Sequence, residues 1–327
     1  IGLYQTTTRK GFRESAAKSF LHPVLKRKNL KLITYAHATR VLFDGKKAVG
    51  IEYIHKGKAK QIFANKEVIL SGGSINSPQL LQLSGIGPKD LLDGLNIPLV
   101  HESPAVGQHL QDHLGMDYLY SCTKPSLNDE LHSLWGKFVA GLKYVLFRRG
   151  PLSLSINQGG GFIKTRPELA QPNIQLYFSP VSYTRAPAGT RPMMNPDPFS
   201  AFQLGLTNCR PTSRGEIKIK SADPFEHPTI KPNYLSTKED VDELLEGVKY
   251  LRELAETKAF KEIVIEEFRP GSACKTDEQL IEDIRGYAWT CFHPTSTCRM
   301  GLNPEENVVD SKLKVHGIDN LRVIDAS

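Results

Sequence analysis

Residues 67–87 constrain this chain more than any other stretch. Glu67-Val-Ile-Leu70 is a short apolar run of strand type. It enters Ser71-Gly72-Gly73-Ser74, four small residues that let a backbone turn tightly. Asn76 or Ser77 then offers a side-chain cap, with Pro78 in the first turn of a helix over 79–83. Ser84-Gly85-Ile86-Gly87-Pro88 stops that helix. A strand, a small-residue turn and a capped helix belong to an α/β architecture, where such a junction can hold a phosphate or a nucleotide. Any βα crossover has the same form, and no Gly-x-Gly-x-x-Gly occurs in the 327 residues. By itself the segment predicts a fold class and leaves the ligand open.

Around it the hydrophobic period changes. From Leu30 to Phe63 apolar and polar residues alternate, with turns at Asp44-Gly45 and Lys56-Gly57, which predicts strands joined by hairpins. Further strands are expected at 174–178, 199–206 and 216–220. Amphipathic helices are expected at 240–254 and 276–287. Leu134, Phe138, Leu142 and Val145 recur at helical spacing within 131–147, and such a stripe predicts a face packed into the core. The proline-rich segment 187–198 reads as a loop, either a lid or a plain excursion. The chain closes on an apolar strand, Leu321-Arg-Val-Ile, followed by Asp325-Ala326-Ser327.

Cys291-Phe-His-Pro-Thr-Ser-Thr-Cys-Arg-Met-Gly301 fits neither period. Pro294 stiffens His293, and three hydroxyl residues can cap the local backbone. A histidine in such a loop can accept a proton near neutral pH; it can equally be an incidental surface residue. His109 and His113 flank Asp112 in a second polar run, 104–113. Together with His293 they form one conceivable metal set, and Cys291, His293 and Cys298 form another. No ligand pair of the usual zinc spacing accompanies them, so no metal is expected.

The charge balance, 42 Lys and Arg against 35 Asp and Glu, is spread along the chain without an aromatic-interleaved stripe. Nucleic acid is therefore not an expected partner. No apolar run approaches 18 residues, so no membrane span is expected. Five irregularly spaced cysteines suit reduced thiols and a cytoplasmic location.

Taken together, these segments resemble the glucose–methanol–choline (GMC) family of flavin oxidoreductases. Gly73-Ser-Ile-Asn-Ser-Pro-Gln-Leu-Leu-Gln-Leu-Ser-Gly-Ile-Gly87 resembles the family's second signature. Val106-Gly107 with Leu110-Gln-Asp-His113 resembles a further family run, in which Ala105 and His109 replace the usual Gly and Asn. Residues 292–301 resemble the catalytic loop, and Leu321–Ser327 the strand that ends against the flavin.

The resemblance implies an α/β fold: a partial, Rossmann-like FAD-binding domain over 1–117 and 281–327, and a substrate domain over 118–280 built on a mainly antiparallel sheet with helices. It implies FAD as cofactor and a primary alcohol, choline or another, oxidised to the aldehyde. Hydride would pass to flavin N5 with His293 as base. It implies FAD contacts at Ala38, Ser71, Gly72, Asp325 and Ala326. It leaves the electron acceptor open between oxygen, a quinone and a dye-like or other carrier. It allows a location peripheral to the inner membrane as well as a cytoplasmic one. Relatives begin with a glycine-rich finger and end with a helix carrying a second catalytic His or Asn, so the chain is expected to be a fragment. The competing expectation is a non-catalytic flavoprotein relative that acts only as a binding module.

Overall fold

The computed structural model describes residues 1–183 and 195–327, which form two compact units. Most of the predicted proline-rich loop, 187–194, lies outside the described residues. The fold is mixed α/β with mainly antiparallel sheets. Parallel pairing joins Val68–Leu70 to Leu321–Val323 and Ile86–Gly87 to His101–Glu102.

The first unit comprises residues 1–31, 114–210 and 238–290. Its centre is an antiparallel sheet in the order Gly2–Leu3, Gly159–Ile163, Ile174–Ser179, Ala201–Asn208, Leu114–Cys122 and Val264–Arg269, with Trp289–Thr290 also beside Leu114–Cys122. Every residue of Ala201–Asn208 is buried. Helix Lys238–Ala255 packs on the sheet with the stripe expected for 240–254, burying Val241, Leu244, Val248 and Leu251. Gly247 allows the close approach, because a Cβ there would sit 2.8 Å from Leu206 and 3.4 Å from Ile174. Arg252 on this helix forks onto Glu267 at 2.7 and 3.0 Å. Helix Asp277–Tyr287 starts with a capping box between Thr276 and Gln279.

Helix Leu134–Phe147 forms where its periodicity predicts, but faces the other way. Leu134, Phe138, Leu142 and Val145 are 84, 58, 47 and 61% exposed, and Ala140 is the helix's buried residue. Periodicity defines a stripe; it does not say which side of the stripe finds a partner.

The second unit comprises residues 32–113, 211–237 and 291–327. Ala36–Asp44, Lys47–His55 and Lys58–Phe63 form a three-stranded meander. Its turns are the two expected: Gly45, Lys56 and Gly57 adopt positive φ (57°, 53° and 72°). Val41, Leu70, Leu81, Ile86, Val106 and Leu321 build this unit's core. Cys298 lies within it, fully buried, and burial pushes its thiol up to about 12. All five cysteines are free thiols. Among the described residues no helix is long and apolar enough to cross a membrane.

Candidate active site

The site is built where two parallel strands end. Val68–Leu70 and Leu321–Val323 lie side by side, and the Ile324 amide donates to the Leu70 carbonyl at 2.8 Å. Their carboxyl ends, Ser71-Gly72 and Asp325-Ala326, therefore emerge together, at the edge where α/β sheets bind ligands. Ala38, Ser71 and Gly72 line one cleft of about 380 Å³, along with Asn76, Gln79 and Leu80. Beside it the ring of His37 stacks on Phe225 at 4.5 Å.

The helix after Leu70 begins at Gly73, six residues before the predicted start, and runs to Leu83 with Pro78 inside it. Its first amide is already engaged. Asp325 accepts the Gly73 amide (2.9 Å) and the Ser77 hydroxyl (2.6 Å) on one oxygen, and the Ser327 amide (2.7 Å) on the other. The Ser77 hydroxyl in turn accepts the Gly72 amide at 3.0 Å. A protein carboxylate thus stands at this helix N-terminus, the place a phosphate would otherwise favour.

Partial burial pushes the Asp325 carboxyl up. Hydrogen bonds from Ser327, Ser77 and Gly73 outweigh it, and the group titrates below the usual carboxylate range. A depressed folded pKa contributes stability above the ordinary value near 3.9 and loses it as pH falls through the folded pKa. The stability gap between the parent and Asp325→Asn should therefore shrink below about pH 4. A gap that is constant from pH 7 to pH 2 in thermal melts would contradict that assignment.

Pro78 explains the next contact. Proline has no amide to give the carbonyl four residues back, so Ser74 loses its helical partner. The Thr297 hydroxyl, fully buried, donates to that carbonyl at 2.7 Å. The Ser74 hydroxyl returns a bond to the Pro294 carbonyl at 2.5 Å. The loop carrying His293 is thereby tied to the helix at residues on either side of the turn. Thr297→Val keeps the volume and leaves the Ser74 carbonyl unpartnered; it should cost about 1–3 kcal/mol in chemical denaturation. Wild-type stability in that variant would show that the contact contributes nothing.

The run 104–113 supports the same loop from its other side. Gln111 and Thr295 exchange backbone bonds at 3.1 and 2.8 Å, and the Cys291 amide donates to His113 at 3.0 Å. Asp112, 8% exposed, accepts the His293 amide at 2.8 Å and the Tyr234 hydroxyl at 2.5 Å. The rings of His113 and His293 meet edge to face at 5.7 Å. Phe292 and Ser296 are held at positive φ (57° and 73°), a conformation side chains tolerate only when their surroundings impose it. The Ser296 amide donates to Ala326 at 3.2 Å, which joins the loop to the strand end. His293 itself is exposed. The result is an accessible imidazole on a rigid mount.

Gln82 fastens the assembly from below. Its amide donates to the carbonyls of Val106 (3.2 Å) and Ile217 (3.0 Å) and accepts the Ile219 amide (2.9 Å), with no exposure to solvent. His109 lines a separate cleft with Gln108, Arg214 and Lys231. Burial, then Arg299 and Arg214, hold its imidazole below the usual value. Among the described residues no three His, Cys, Asp or Glu side chains gather as metal ligands would.

Residues 1–115 and 211–327 match the N- and C-terminal sequence patterns described as GMC oxidoreductase. The chain belongs to the GMC oxidoreductase family. An oxygen-dependent choline dehydrogenase of Pseudomonas putida is 41% identical over 99% of this chain and 56% of its own length. An alcohol dehydrogenase [acceptor] of the same species is 40% identical over 100% of this chain and 58% of its own. The chain thus spans about half the length of these curated relatives. A solved structure concerned with FAD modification in Aspergillus oryzae formate oxidase superposes with a TM-score of 0.88 at 27% identity, covering 100% of this chain and 61% of that one.

Two departures from the GMC pattern have local explanations. His109 occupies a left-handed position (φ 63°), where Asn and His are both tolerated, so the backbone rather than the side chain sets the requirement. Ala105 is buried at 3% exposure and adds one methyl to the core. Of the residues in contact here, Ser74, Gln82, Asp112 and Thr297 carried no functional signal in the sequence beyond membership of the motifs, and Tyr234 lies outside them.

Proposed function

We propose that this chain forms part of an FAD-dependent enzyme that oxidises a primary alcohol, with choline and simple alcohols as the substrate class. The observation that carries this reading is the mounting of His293: an exposed imidazole whose loop is fixed from both sides, next to two parallel strand ends. The cleft lined by Ala38, Ser71 and Gly72 is apolar along Ala36, Ile51 and Leu80 and polar at Asn76 and Gln79. That donor set fits a flat heteroaromatic group such as the adenine end of FAD. Asp325 takes the first amide of helix Gly73–Leu83 and Ser77 that of Gly72 just before it, so Asp325 acts here by holding the turn. Ala326, at the strand end, would flank the cofactor.

FAD, when bound, supplies the hydride acceptor at N5. His293 takes the hydroxyl proton of the alcohol as the carbon is oxidised, or stabilises the developing alkoxide. Asp112, Ser74 and Thr297 hold the loop so that the imidazole meets the alcohol without first having to be ordered. The unit containing 32–113 and 291–327 carries the flavin contacts, and the other unit carries the substrate determinants.

The test is an absorbance spectrum of the purified full-length protein, before and after anaerobic addition of choline and then a panel of primary alcohols. A flavin band that bleaches with one of them supports the reading and identifies the alcohol. Absence of a flavin band after reconstitution with FAD would favour the non-catalytic alternative.

A further inference from the structure

Helix Leu134–Phe147 turns its apolar side to solvent. At about 100° per residue, Leu134, Trp135, Phe138, Leu142, Val145 and Leu146 fall within an arc of about 120°. Their exposures run from 47% at Leu142 to 84% at Leu134. This inverts the usual amphipathic arrangement, in which the apolar stripe packs inward. Contiguous apolar surface of this kind on a folded protein marks an interaction site.

The charges around the stripe share one sign. Lys137 and Lys143 each lie about 60° beyond one edge of the arc, and Arg148-Arg149 follow at the helix end. No Asp or Glu occurs between Glu130 and Glu168. The hairpin of Thr8–Arg9 and Phe12–Arg13 packs on the same end: the Tyr144 hydroxyl donates to Gly11 at 3.0 Å, and the Arg148 guanidinium stacks over Phe12 at 4.2 Å. That hairpin belongs to a stretch, residues 1–31, whose only acidic residue is Glu14, and in which Phe20 is 77% exposed.

We propose that this face docks on an anionic lipid bilayer, with the helix lying in the headgroup–acyl boundary. The apolar arc enters the boundary. Lys137 and Lys143 lay their stems along it and carry their ammonium groups out to lipid phosphates. Charge decides between occupants. A second copy related by a two-fold axis would bring two rims of Lys and Arg together, whereas anionic headgroups neutralise them.

The chain has two tryptophans, Trp135 and Trp289, and Trp135 is 72% exposed. The full-length protein should co-sediment with phosphatidylcholine vesicles containing phosphatidylglycerol, with a blue shift in Trp emission that Trp135→Phe removes. Pure phosphatidylcholine should retain about tenfold less protein, and added salt should weaken the binding. Phe138→Asp with Val145→Asp should abolish it. Lys143→Glu with Arg149→Glu, which leaves the apolar arc intact, should weaken it on anionic vesicles only. Three outcomes would overturn the proposal. Sedimentation and emission could be unchanged by anionic vesicles. A dimer could exist in solution that Phe138→Asp dissociates. Trp135 could already be shielded from a soluble quencher before vesicles are added, which would mean that the full-length chain covers this face itself.

Discussion

Replacing His293 by Ala in the full-length holoenzyme is expected to slow alcohol-dependent flavin reduction by about 10²–10⁴-fold, the usual contribution of a positioned proton acceptor. The flavin should stay bound, because the hydrogen bonds that hold the loop at this point are made by the backbone: the His293 amide donates to Asp112, and the neighbouring Pro294 carbonyl accepts from Ser74. Anaerobic stopped-flow reduction with choline or the best alcohol of the panel measures the effect. An unchanged reduction rate would remove His293 from the mechanism. Loss of flavin would instead give it a structural role.

The second large effect is expected at Gln82. Its side chain pairs with three backbone groups on two segments, the Val106 carbonyl on one and the Ile217 carbonyl and Ile219 amide on the other. Gln82→Met nearly preserves the volume but leaves two carbonyls and one amide without partners in a dry setting. Each such group costs about 1–3 kcal/mol, so a total of about 3 kcal/mol or more is expected in denaturant unfolding. Because Gly107 also donates to the Thr297 carbonyl at 2.8 Å, the loop bearing His293 should loosen with it. A variant that unfolds at the parental midpoint would show that water or a backbone shift replaces the amide.

Much of this was legible in the chain. The stripe at 240–254, the helix over 276–287 and the glycine turns at 45 and 57 are local signals, and each formed where local chemistry favoured it. The start of the signature helix was misplaced because a proline is usually read as a first-turn residue. Its position inside the helix depends on Thr297, 223 residues away. The anchoring of His293 by Asp112 spans 181 residues and leaves no periodic trace. The outward turn of helix Leu134–Phe147 was illegible for a related reason: a stripe of apolar residues looks the same whether protein or something else covers it.

The proline inside helix Gly73–Leu83 bears on how this protein could be engineered. By helix propensity alone, Pro78→Ala is an obvious improvement, since proline costs about 3 kcal/mol in a helix interior. Here the restored amide would compete with Thr297 for the Ser74 carbonyl. A library selected only for heat resistance would drift toward a better helix and a worse-held histidine. Thermostabilisation of this protein should therefore hold position 78 fixed and draw its gains from the meander and the outer helices.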